Sequence, residues 1–334
     1  MTNIFRCVAL WWLWCGGGMA LAAAPSPWTV TPYYVYPKDQ PRIPAYETAI
    51  KKTVEEIQAW YKQQTGGSTF TLNPLVVIQA PDDYLTMRAG PRPSKRLKNL
   101  FSTDEWKKDP VRMGDPRFPN WLDSLEKAVG GYQDQHVAWI FAQGGAGVAC
   151  AILQDRHRGW GVFGDWVLEP ISGVANEGGV PARFGTWEVK GGTPVGTATH
   201  ELGHAFGLHH PVSPTHTIMW EHTKYPTVGL LPHEKLALTL SPFFGGPAAD
   251  PQAPSVDFST ADTATRGQTL KILGQGFVKG DEVEFLWAEG SVKVSPETIH
   301  PSSLVTPVPP DARSGVFRVW RGQSKSHAIP INIK

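Results

Sequence analysis

Cysteine is nearly absent: the chain has three in 334 residues. Cys7 and Cys15 sit in an apolar N-terminal stretch, so removal of that stretch leaves Cys150 alone. This excludes a disulfide scaffold within the rest of the chain. Cys150 reads as a small buried hydrophobe. A thiol that masks a metal in a precursor is the weaker alternative, because Cys150 lies well inside the chain. Excess charge is missing too. Lys and Arg number 31 against 30 Asp and Glu, and the one charge within residues 1–22 is Arg6. Without Arg6 the balance is 30 to 30, which provides no electrostatic case for binding nucleic acid or an anionic membrane.

Long apolar runs are confined to residues 7–22. With Arg6 before the run and Ala20-Leu21-Ala22 at its end, residues 1–22 read as a cleavable export signal. A retained anchor is the alternative, weakened by Gly16-Gly17-Gly18. The expectation is a secreted or periplasmic protein with no stable membrane insertion once the signal is removed. The remaining length suits two domains.

Against these absences stands one dense cluster. Residues 200–210 read His-Glu-Leu-Gly-His-Ala-Phe-Gly-Leu-His-His. On a helix His200 and His204 share one face, a turn apart. Two neutral imidazoles so placed can hold one Zn²⁺ at roughly 2.0–2.1 Å each. Glu201 adjoins the first histidine, where it can reach a hydrolytic water without taking a ligand position. Gly207 lets the helix stop and the chain turn, and His210 arrives as a third ligand. The fourth position stays open, as catalytic zinc requires. His209 could compete for the third place, but the spacing from Gly207 favours His210.

The stretch from His200 to His210, with Met219 in Thr-Ile-Met-Trp, resembles the metzincin clan of zinc endopeptidases. More loosely, the likeness covers residues 28 to 245. It implies that His200, His204 and His210 hold one zinc ion, that Glu201 is the general base, and that Met219 forms a turn beneath the metal. Pro211 is similar to the serralysin branch. Two features depart from that branch. No glycine-aspartate calcium repeats follow the site, and Glu221 stands where serralysins and astacins carry a tyrosine. The resemblance also implies a substrate-binding edge strand before the zinc helix. The stretch Gly159 to Asp165 is the candidate, with a glycine-rich hairpin as the plain alternative.

The order of elements follows from periodicity. Residues 28–36 alternate as a first strand. Pro44 opens a helix whose Ile50, Val54, Ile57 and Tyr61 share a face, and Gly66-Gly67 ends it. Leu75–Ile78 reads as a buried strand. Residues 88–120, rich in Pro, Lys and Arg, read as a solvated loop or a rim that selects substrates. Leu122, Leu125 and Val129 suggest a helix ending at Gly130-Gly131, and Val137–Ala142 a buried strand. Thr193 and Pro194 suit the start of a helix running to Phe206, and Pro232–Leu240 forms a last helix. The fold class expected is α/β (α+β): a mixed twisted sheet with a zinc-site helix over 28–245.

Pro and Ala dominate a linker at 246–254. Residues 255–334 then read as a small antiparallel sandwich, with strands at Leu270/Ile272, Val283–Trp287, Phe317/Val319 and Ile329–Ile333. The run 267–277 and the closing Ala-Ile-Pro-Ile-Asn-Ile resemble the immunoglobulin-like IPT/TIG module.

These features point to an exported zinc endopeptidase acting on a protein or peptide substrate. The rival from another class is a binding protein, with an inactive metzincin-like front and a C-terminal module that grips a surface polymer or protein partner. Hydrolysis of a non-peptide amide or ester is a third reading, since the motif sets the metal and base rather than the leaving group. Trp220 either packs near the site or lines a substrate pocket. His136, His157 and His233 lack ligand spacing, and His216 and His222 flank the site at the surface or behind its ligands.

Overall fold

The computed structural model describes residues 28–87, 119–144, 149–155, 158–174 and 193–334. The signal at 1–22, residues 88–118 of the basic stretch, His157 and the side chain of Cys150 lie outside the described residues.

The first part of the chain builds one six-stranded mixed sheet from β1 (Thr29–Tyr36), β2 (Thr71–Leu72), β3 (Val76–Gln79), β4 (His136–Ala142), β5 (Ala149–Asp155) and β6 (Arg158–Phe163). Its order is β2-β1-β4-β6-β5, and β3 also pairs with β1. All neighbours run parallel except β5, which lies antiparallel to β6 at the edge. β4 shows why its sequence is apolar throughout. Val137, Trp139 and Phe141 enter one core; Ala138, Ile140 and Ala142 enter another on the opposite face. A strand covered on both sides has no solvent face to mark with polar residues.

Helices supply the two covers. On one side lie α1 (Pro44–Gln64) and, after the short α2 (Tyr84–Met87), α3 (Pro119–Ala128) and α4 (Asp165–Ser172), the helix α5 (Thr193–Ala205). Ile50, Val54, Ile57 and Tyr61 of α1 are all buried there with Ala198, Leu202 and Ala205 of α5. Met87 of α2 and Leu125 of α3 close the other side. The expected helix from Pro44 ends at Gln64, just before Gly66 and Gly67, which take φ of 75° and 126°. Short α6 (Ile218–Glu221) and α7 (Pro232–Leu240) complete this part.

Two expectations are corrected. The strand at Leu75–Ile78 is not buried: β3 is an edge strand and Val76 is 39% exposed. The stretch Gly159–Asp165 is not an edge either. β6 is flanked by β4 and β5, and the edge belongs to β5. The glycines there serve a close approach instead. A Cβ on Gly159 would stand 2.4 Å from the carbonyl oxygen of Ala205, so β6 presses backbone to backbone on the end of α5.

From residue 255 two sheets face each other. One is β11 (Gly290–Val294), β10 (Glu282–Trp287), β14 (Gly315–Arg321), β16 (Ile329–Ile333) and β8 (Thr263–Ala264), with β15 (Ser324–Lys325) on β14. The other is β12 (Thr298–His300), β13 (Ser303–Pro307), β9 (Thr269–Gln275) and β7 (Ser255–Ser259). Leu270, Ile272, Phe285, Leu304, Phe317 and Ile331 fill the space between. Pairing is antiparallel except that the two-residue β8 joins β16 in parallel, because the chain crosses from one sheet to the other there. The sandwich packs on the first part: Val316 is buried in the front core, and the rings of Trp28 and His327 meet edge to face at 5.5 Å.

Gly159→Ala is expected to lower stability by about 1–3 kcal/mol, since neither backbone at that contact can yield to a methyl group. Thermal unfolding checks this; an unchanged midpoint would show that α5 can move away freely.

Candidate metal centre

Helix α5 is fixed before it presents any ligand. Tyr61 of α1, fully buried, donates its hydroxyl to the carbonyl of Thr199 at 2.8 Å. One residue later His200 leaves the same helix. The helix then ends in a Schellman turn. The amide of Leu208 bonds to the carbonyl of Gly203 and that of Gly207 to His204, both at 2.9 Å, with Gly207 at φ 90°. This reversal carries His210 back beside the helix.

The three imidazoles converge. Nε2 of His204 lies 3.1 Å from Nε2 of both His200 and His210, and the last two are 3.2 Å apart. Three nitrogens bound to one tetrahedral zinc at ~2.0–2.1 Å would be roughly 3.3–3.4 Å apart, so this triangle fits. The protons fit as well. Nδ1 of His200 donates to the carbonyl of Ile218 at 2.8 Å, and Nδ1 of His204 to the carbonyl of Leu208 at 2.7 Å. A carbonyl only accepts, so both rings carry their proton on Nδ1 and turn a bare Nε2 to the centre. Facing lone pairs at 3.1 Å repel unless a cation sits among them. Burial, followed by the neighbouring histidines, holds His200 well below the usual imidazole range. Burial, then His210, takes His204 down to about 3. His210 is also lowered, mainly by burial. All three rings are neutral at neutral pH, the form that a metal requires of an imidazole. Among the described residues they form the one group of three such side chains able to hold a metal ion.

The remaining expected residues have definite places. Glu201 follows His200 on α5 and is partly buried. Met219 is fully buried, and its sulfur packs so closely on Gly203 that a Cβ there would stand 2.6 Å from it. His209 lies outside the triangle, with Nδ1 3.7 Å from Asp262 of the sandwich. Trp220 is 44% exposed, its ring 6.4 Å from that of His210 and edge on to it. His222 packs its ring 4.9 Å from that of His200. Glu221 pairs at the surface with His216 at 2.6 Å and Lys224 at 2.7 Å. His136 bonds to Thr31 within the sheet at 2.8 Å.

Three supports were not legible from the motif. Thr217 caps α6 and donates to Glu234 Oε2 at 2.6 Å. The same oxygen accepts the amide of Leu231 at 2.7 Å, which ties the methionine turn to the start of α7. The third is Asn332 of β16, whose side-chain amide donates to the backbone carbonyl of His210 at 2.7 Å. One signal did exist: Asn332 is a lone polar residue among isoleucines in a run without charge.

No family model and no curated protein matches the chain. Among solved structures it is similar to wild-type OgpA from Akkermansia muciniphila in two crystal forms. The first is 15% identical with a TM-score of 0.43, covering 90% of this chain and 89% of that one. The second is 14% identical with a TM-score of 0.39, covering 90% of both chains. It is also similar to catalytically inactive OgpA in complex with an O-glycopeptide substrate, glycodrosocin, at 14% identity and a TM-score of 0.40, covering 90% and 89%. The chemistry of the site rests on this chain's own residues.

Glu234 makes a pH-dependent prediction. Burial raises its carboxyl to about 7, against the opposing bonds from Thr217 and Leu231. A carboxyl raised on folding contributes stability below its ordinary value near 4.5, and that contribution is lost as pH rises through about 7. Urea unfolding of wild type and Glu234→Gln at pH 5.5 and 8.5 is expected to show the variant gaining on wild type at the higher pH. A pH-independent difference would mean that Glu234 is already ionised in the fold.

Proposed function

We propose that the chain is a zinc-dependent endopeptidase of metzincin type, exported through residues 1–22. Residues 28–245 form its catalytic unit, 246–254 a linker and 255–334 an immunoglobulin-like module. One observation carries the reading: three imidazole nitrogens, 3.1–3.2 Å apart and two of them held proton-free, converge beside a glutamate one residue past the first histidine. His200, His204 and His210 hold the metal. A zinc ion in that position supplies a Lewis acid that brings the pKa of water down to about 7 and polarises the scissile carbonyl.

The chain's residues do the rest. Glu201 takes the proton of the attacking water and passes it to the leaving amine. The carbonyls of Ile218 and Leu208 keep the His200 and His204 rings in the ligating tautomer throughout. Met219 fills the space under Gly203, so the helix cannot sink away from its ligand face. The antiparallel edge strand β5 beside α5 offers main-chain groups that can pair with an extended peptide. No helix among the described residues is long and apolar enough to cross a membrane.

The test joins metal and turnover. Purified protein is expected to carry one zinc per chain and to cleave denatured casein, with activity lost to a chelator and restored by zinc. Glu201→Ala is expected to keep its zinc while hydrolysis falls by about 10²–10⁴-fold. An unchanged rate would remove Glu201 from the chemistry. Zinc without turnover on any peptide, together with tight polymer binding, would replace the enzyme by a binding protein.

A further inference from the structure

The third ligand differs from the other two in how it is held. His200 and His204 stand on a helix, and each has its Nδ1 bonded to a backbone carbonyl. His210 stands past the Schellman turn. A hydrogen bond from the C-terminal sandwich reaches this corner. Asn332 is 5% exposed, and its Nδ2 donates to the His210 carbonyl at 2.7 Å. Asn332 is itself held, because it pairs with Thr263 across β8 and its amide donates to the carbonyl of Asp262 at 3.0 Å. Asp262 in turn stands 3.7 Å from Nδ1 of the adjacent His209. Thus β16 and the residue just before β8 grip the two consecutive histidines. Asn332 also lines a small cavity between the two parts with Glu234, whose Oε2 supports the methionine turn.

The geometry points to Asn332 as a positioning residue for the metal, and to the sandwich as a working part of the metal centre rather than a separate binding module. This rests on the zinc reading above. The His210 peptide plane sets the direction of its Cα–Cβ bond, and therefore where Nε2 falls. With that plane loose, His210 samples positions outside the triangle and pays ordering entropy each time it ligates. Outer supports of this kind change metal affinity by about 10–100-fold.

Asn332→Asp tests the assignment, because it keeps the shape but replaces the donor with an acceptor against the carbonyl. Asn332→Ala removes the group altogether. Asp250→Ala is the control for general loosening: it breaks the 2.8 Å bond to the Lys325 amide and touches no residue of the His210 corner. Full-length proteins are compared by zinc affinity in chelator competition, by the absorption spectrum of the cobalt(II)-substituted site, and by the unfolding midpoint of the metal-free chain. Both Asn332 variants are expected to bind zinc at least tenfold more weakly and to alter the cobalt spectrum, while Asp250→Ala does neither. Wild-type affinity and spectrum in Asn332→Asp would overturn the assignment. So would a loss of affinity in Asp250→Ala equal to that in the Asn332 variants. If the wild-type chain itself binds no zinc, the peptidase reading falls as well, whereas tight wild-type zinc with indifferent Asn332 variants sinks only the positioning role.

Discussion

Two hydrogen bonds from imidazole Nδ1 to backbone carbonyls, His200 to Ile218 and His204 to Leu208, are the constraint on which the site depends. Each does three things at once. It selects the tautomer, sets the ring plane and leaves Nε2 without a proton. Buried rings could otherwise satisfy themselves by hydrogen bonding to one another, and the triangle would then be an ordinary polar cluster. Because one carbonyl lies on the turn that ends α5 and the other at the start of α6, the helix and its downstream chain must be in register before the nitrogens can converge.

The fold is arranged to keep that register. Tyr61 anchors α5 from one side, Gly159 lets β6 approach its end, and Met219 fills the space under Gly203. Thr217 and Glu234 then tie the methionine turn to α7. These contacts come from four different elements, so no single loop defines the geometry. The arrangement carries an energetic cost: three imidazoles and one carboxyl are buried in surroundings that oppose their charging.

Much of this was legible locally. The face of α1 announced itself through Ile50, Val54, Ile57 and Tyr61, and α7 appears at the expected Pro232–Leu240, because each signal lies within a few turns of chain. His200, His204 and His210 were legible for the same reason: helical spacing and one glycine turn bring them together without distant help. What escaped depends on distant partners. Whether β5 or β6 is the edge is decided by pairing, and both are short and glycine- or alanine-rich. Glu234 meets Thr217 across 17 residues and Asn332 meets His210 across 122, separations at which no spacing rule speaks.

That last separation has a consequence in time. A ribosome delivers the chain N-terminal end first, so the turn bearing His210 emerges 122 residues ahead of the strand that grips it. The front sheet can collapse and the helix can form while that corner still lacks its distant hydrogen bond. On the zinc reading proposed above, tying His210 to such a late strand leaves the metal triangle short of one support until residue 332 has emerged.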